Sequence, residues 1–262
     1  SVSSTSFTVG ESLNTNGETF VAYLFAHNDG DGEFGPDSDQ DIIKCGSYTG
    51  NGSTTGPEIN LGFEPQWLLI KDVSTSDENW QIFDQMRGMP VGGQPIHLYP
   101  NSNAAEGSVD NQFEITSTGF KLTSVSNRTN ASGRTYIYMA IRRGPLAAPE
   151  SATDVFAIAT RDGTEPSFDS SFPVDFALTR TVNTADNWWA ASRLNQGNYL
   201  QTNRTNAEAS ASSLQFDYMD GWNSNTGANS NLYAWMWKRA PSYFDVVAYT
   251  GTGSSTTVTH NL

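Results

Sequence analysis

The feature that most limits what this chain can fold into is an internal repeat. The stretch SYTGNGSTTGPEINL, ending at Leu61, returns as AYTGTGSSTTVTHNL, ending at Leu262, with the same thirteen-residue step from Tyr48 to Leu61 as from Tyr249 to Leu262. A missed repeat misassigns a whole fold, so it is followed first. Phe63, Trp67, Leu69 and Lys71 are spaced like Phe172, Phe176, Leu178 and Arg180. Even steps of this kind place side chains on one face of a strand.

Asn79-Trp80 follows the first of these segments and Asn187-Trp188 the second, and Leu98, Asn101, Ala105 and Glu106 match Leu200, Asn203, Ala207 and Glu208. A closing strand occurs three times, as Val21-Ala-Tyr-Leu-Phe25, Ile137-Tyr-Met-Ala-Ile141 and Tyr233-Ala-Trp-Met-Trp237, each with Gly17, Gly133 or Asn229 four positions ahead. Glu106 and Glu208 stand 102 residues apart, a period that fits a sandwich domain and not a short solenoid turn. The chain is therefore expected to divide into the C-terminal strands of a preceding module (1–27), an acidic linker (28–44), complete modules at 45–145 and 154–241, and the first strand of a following module (245–262). Proline-bearing joints, RGPLAAPES and RAPSY, separate the modules, since proline interrupts helix and ladder alike.

Short strands and many turns also follow from composition: aromatics reach 12 %, charged residues only 16 %, and clusters such as TGNGSTTG, NRTNASG and NSNTGANSN punctuate the chain. The expectation is an all-β protein of tandem antiparallel β-sandwich or jelly-roll modules, with about six to eight strands in each. QWLLIK and YAWMWK, apolar at nearly every position, read as inner strands with one face on the core and the other against a loop, a neighbouring module or another chain. Trp67, Trp80, Trp188, Trp235 and Trp237 fall on repeat-equivalent strand positions and are assigned to the core. A formal charge of −14 opposes nucleic acid and anionic membrane surfaces, both of which need a positive patch. No apolar run approaches the ~18 residues of a membrane helix.

The run YTGNGS…INLGFEPQWLLIK…NWQIFDQMRG…LYPNSNAAE…GFKL…YIYMAIRRGP resembles repeats in tail-fibre and other virion appendage proteins of tailed phages, marine ones in particular. The resemblance covers essentially the whole chain, strongly through 20–145 and more loosely through 154–241, where Arg161 to Phe172 departs from the Tyr-Thr-Gly-x-Gly opening. It implies a sandwich of the concanavalin or laminin-G type on an extracellular virus particle, with no established chemistry.

No nucleophile elbow, paired-histidine zinc motif, phosphate loop or dinucleotide fingerprint occurs. His27, His97 and His260 occupy unrelated places in the repeat, and Cys45 reads as a small packing residue. A glycosidase needs two carboxylates about 5–9 Å apart. Asp84 beside Trp80 has Ser192 as its counterpart, so no such pair recurs, and Glu106 and Glu208 read as structural carboxylates. In HNDGDGEFGPDSDQD, Asp29, Asp31, Glu33, Asp37, Asp39 and Asp41 offer oxygen ligands for a hard cation such as calcium, although the glutamate that closes a twelve-residue calcium loop is replaced by Gln40. A solvated acidic linker is the competing reading. Trp189 and Tyr99, off the core stripes, are the candidates for glycan contact.

The function expected from these observations is a non-enzymatic structural protein: a segment of a modular phage appendage at the virion surface, outside the cell. It is expected to pair with other copies of itself, as a trimer in the manner of fibres, and with other virion proteins. A lectin-like module that holds a host surface glycan is the alternative, with a surface depolymerase behind it.

Overall fold

The structure is a computed structural model that describes residues 6–28, 33–35, 38–108, 111–144, 147–225, 227–260 and 262. It is all-β. In the first half, β1 (Ile43–Thr49), β2 (Glu58–Asn60), β3 (Pro65–Asp72), β4 (Gln81–Asp84), β5 (Ile96–Leu98), β6 (Gly107–Ser108), β7 (Phe113–Thr116), β8 (Gly119–Leu122) and β9 (Thr135–Arg142) form a six-stranded sheet, β1-β9-β3-β4-β5-β6, and a three-stranded sheet, β2-β8-β7. In the second half, β10 (Phe156–Arg161), β11 (Phe168–Asp169), β12 (Phe176–Thr181), β13 (Trp189–Ser192), β14 (Asn198–Gln201), β15 (Ala209–Ser210), β16 (Leu214–Gln215), β17 (Gly221–Ser224) and β18 (Asn229–Trp237) form sheets β10-β18-β12-β13-β14-β15 and β11-β17-β16. Each strand order maps onto the other strand for strand, and the pairings are antiparallel.

Each pair of sheets encloses its own core. In the first, Tyr48 stacks on Tyr136 with ring centroids 5.1 Å apart, and Phe83 meets Phe113 edge to face. In the second, Trp222 lies between Phe168 and Phe216, 5.7 and 5.2 Å away. Such aromatic pairs add to the area they bury.

The tryptophans of the repeat do not occupy these cores, contrary to expectation. Trp222 is the fully buried one, whereas Trp67, Trp188, Trp235 and Trp237 are half-buried and Trp80 is exposed. Along β18 the small or slender side chains, Ala234 and Met236, point inward, and Tyr233, Trp235 and Trp237 share the outer face. In β3 the reason is a register shift between Pro65 and Trp67. Phe63 and Pro65 point inward ahead of it; after it Leu68, Ile70 and Asp72 do, which turns Trp67, Leu69 and Lys71 outward. One extra residue in a strand is enough to exchange its faces.

The expected strands at the two ends also differ from what is seen. Val21, Tyr23 and Leu24 are 76 %, 83 % and 74 % exposed and form no ladder, and residues 245–250 form none either. A strand exists only through its ladder, and in each sandwich the closing strand is flanked on both sides. No described segment lies beside Val21–Phe25 in that way. The Val246 carbonyl is occupied by the Arg239 guanidinium at 2.7 Å instead of a strand amide, while Val246 and Ala248 pack on the first core.

Candidate functional site

Two places concentrate chemistry: the junction between the sandwiches and one end of the second sandwich. The junction is built from the residues that follow each closing strand. Arg143 and Arg239 hold equivalent positions, two beyond Ile141 and Trp237, ahead of the Gly-Pro and Ala-Pro joints. Chain direction at the end of β18 carries Arg239 into the space between the sandwiches, where it is completely buried. Its Nη1 lies 3.0 Å from both oxygens of Glu64, Nη2 donates to Gln85 Oε1 at 3.3 Å, and its backbone N–H donates to Asp175 Oδ2 at 2.8 Å.

Asp175 also accepts from Arg193 Nε at 3.2 Å, and Arg193 donates further to the carbonyls of Val174, at 2.6 Å, and of Phe216. Arg143 lies 3.5 Å from Glu64 and 3.2 Å from Asp245. Three arginines thus face three carboxylates across residues drawn from both sandwiches and from the segment after them. Burial alone would raise the Asp175 carboxyl, but Arg239, Arg193 and Arg143 overcome it and hold the group below its ordinary value of 3.8. Burial likewise works against the charge on Arg239, and Glu64, Asp175 and Asp245 outweigh it. Beside the charges, Leu194 enters the core of the first sandwich, and its carbonyl accepts from Val91 N–H at 2.6 Å.

The second place is a cleft of about 150 Å³ at one end of the second sandwich, lined among others by Arg161, Thr179, Thr181, Asp186, Trp189 and Asn225. Trp189 pairs with Thr179 across β12 and β13 and stacks on Tyr199, with centroids 4.0 Å apart and planes 8° from parallel. Arg161 follows an irregularity between Thr160 and Arg161 and donates to the Ser224 carbonyl at 3.2 Å.

The residues singled out from sequence are dispersed. Trp189 is half-buried against the second core, not freely exposed, because Tyr199 covers one ring face. Tyr99 sits in the first sandwich against His97, centroids 4.7 Å apart, and does not line the cleft. Of the acidic stretch, Asp29, Asp31 and Asp37 lie outside the described residues; Glu33 and Asp39 are exposed and Asp41 is buried. Among the described residues no group of three or more His, Cys, Asp or Glu side chains is placed to hold a metal ion. Asp84 is engaged by Arg87, whose Nε donates to it at 2.6 Å. Glu208 accepts from Asn195 at 2.6 Å. His27 accepts from the Cys45 N–H at 2.9 Å, and His97 is buried in the first sandwich.

The repeated Asn-Trp…Asn pattern has a local cause. Asn101 accepts from the Trp80 N–H at 3.1 Å and donates to Asn79 at 2.9 Å; Asn203 does the same with Trp188, at 3.2 Å, and Asn187, at 3.0 Å. One asparagine thus ties two loops in each sandwich. Glu64, Asp175 and Arg193, the partners at the junction, carry no repeat signal, since positions equivalent to them hold other residue types. The arginine ahead of each proline joint is the one mark of the junction present in sequence.

The profile of a family described as a domain of unknown function, DUF7483, matches residues 1–145. No curated protein and no solved structure matches the chain.

Proposed function

We propose, for a chain that belongs to the DUF7483 family, that it is a non-enzymatic structural segment of a modular virion appendage, displayed at the surface of a tailed phage. The observation that carries this reading is the same nine-strand topology built twice and fastened by a buried charge junction. Independent beads on a flexible linker have no use for such a junction. A charged network that must be fully paired fixes one mutual orientation, because a partly paired one leaves charges buried without partners. A load-carrying or reach-extending part needs modules that keep their angle.

Side-by-side contact with other copies belongs to the same reading. Both six-stranded sheets present apolar residues on their outer faces at equivalent positions: Ile137, Met139 and Ile141 in β9, and Tyr233, Trp235 and Trp237 in β18. Trp237 touches Phe156 and Phe176 there, at 5.1 and 5.5 Å, and Trp188 touches Trp235 at 5.3 Å. Apolar residues gathered on an outer sheet face mark contact surfaces. The net charge of −14 keeps the remaining surface soluble.

The test is immunolabelling of purified virions with an antibody raised against residues 45–145. Label on tail fibres or capsid projections is the expected result. Virions that carry no label, with the antigen found free in the host or medium, would overturn the reading.

A further inference from the structure

The two sandwiches act as controls for each other, and they differ at one end. Matching the strand registers makes Leu232 the counterpart of Tyr136, Thr179 of Ile70, Thr181 of Asp72 and Trp189 of Gln81; counting along the strand makes Arg161 the counterpart of Tyr48, but the shift after Thr160 sets Arg161 opposite Asn229 where Tyr48 stands opposite Tyr136. In the first sandwich this end is closed. Tyr136 is fully buried, stacks on Tyr48, donates through its hydroxyl to the Asn127 carbonyl at 2.8 Å and accepts from the Ala131 N–H at 2.9 Å. Asn130, also buried, binds Asn51, Ser53 and Ser124, and Asp72 is paired with Arg134 at 2.9 Å. These side chains fill one another's hydrogen-bonding capacity across that end.

In the second sandwich the stacked tyrosine pair is replaced by an arginine and a leucine, and the cleft of about 150 Å³ occupies the space. Its wall offers guanidinium donors from Arg161 and Arg180, the hydroxyls of Thr179 and Thr181, the carboxylate of Asp186 and the indole of Trp189. Donors and acceptors together around one aromatic group are what a polyhydroxylated ring requires, because each sugar hydroxyl both donates and accepts while the ring's C–H face lies against an aromatic. A volume of about 150 Å³ gives room for a small polar ligand such as a single ring.

We infer that this cleft is a monosaccharide subsite: it takes a single pyranose unit, and only the second sandwich carries it. The departure of Arg161 to Phe172 from the repeat's opening sequence is then the price of a binding site, with a closed end exchanged for an open one. The inference does not depend on where the protein resides.

The 262-residue chain would be titrated with free glucose, galactose, N-acetylglucosamine and glucuronate, one at a time, with saturation-transfer NMR and tryptophan fluorescence as readouts. Saturable binding of at least one sugar is expected. It should be lost in the double variant Arg161→Tyr with Leu232→Tyr, which fills the cleft wall with two bulky rings, and weakened several-fold in Asp186→Ala, an exposed position whose change leaves the cores untouched. No saturable binding of any of the four would overturn the inference, and so would binding that survives the closing variant. If the closing variant does not fold, Asp186→Ala decides: unchanged affinity there rejects the site.

Discussion

At the scale of single residues, two glycines show how closely the halves follow one plan. Gly119 opens β8 and Gly221 opens β17, again 102 apart. A Cβ on Gly119 would fall 1.9 Å from the Ile59 carbonyl oxygen, and one on Gly221 would fall 2.3 Å from that of Phe168. Backbone, not a yielding side chain, stands in the way, so Gly119→Ala and Gly221→Ala should each destabilise by about 1–3 kcal/mol, as overpacking does, read from denaturant midpoints. Equal stability of variant and parent would show that the three-stranded sheets are looser than described. His97 gives a pH effect. Burial first, then Arg128 and Arg87, lower its pKa from 6.5, so the fold prefers the neutral ring. Stability is complete above 6.5 and falls as pH drops below it, because the unfolded chain takes up the proton more readily. Melting temperatures of the parent and of His97→Phe should therefore converge or cross on acidification from pH 7; parallel curves would assign the acid response to other groups.

At the scale of elements, the junction decides more than either sheet. Arg239→Met leaves Glu64 and Asp175 facing one another in a buried space with one cation fewer. Removing one partner of a buried pair typically costs about 3–5 kcal/mol, and the loss should appear as a lower melting temperature with separate transitions for the two sandwiches in calorimetry. A single unchanged transition would show that the Leu194 contact suffices to couple them. The Asn101 and Asn203 ties act at the same scale: each fastens the loop before β4 or β13 to the loop after β5 or β14, which explains why an asparagine, and not merely a polar residue, recurs there.

At the scale of the whole molecule, the outward aromatic stripe is the feature that most affects behaviour in solution. Ile158 is 54 % exposed on the outer face of β10, across the sheet from Trp235. A lysine there leaves both cores intact and places a charge within the proposed contact surface. Ile158→Lys should shift the sedimentation of the purified chain toward monomer without changing its melting temperature at low concentration. A parent that sediments as a monomer at every concentration would remove the contact surface from the proposal.

The sequence by itself determined the period and the fold class, because the spacing of turn clusters and the repeat of the closing strand are local properties of the chain; it fell short on strand number, since about six to eight are expected in each module and nine form, several of them only two or three residues long. It also marked Arg143 and Arg239 through the prolines that follow them. The tertiary structure alone decided which face each strand buries, since a single-residue register shift near Pro65 exchanges the two faces and leaves the alternation of residues unchanged. It alone brought Glu64, Asp175 and Arg193 to Arg239, residues as far as 175 positions apart in the chain. The same holds for the cleft: Arg161 and Leu232 stand where the first sandwich has its stacked tyrosines, a register shift sets Arg161 opposite Asn229, and only the fold brings both side chains to the wall of one cleft.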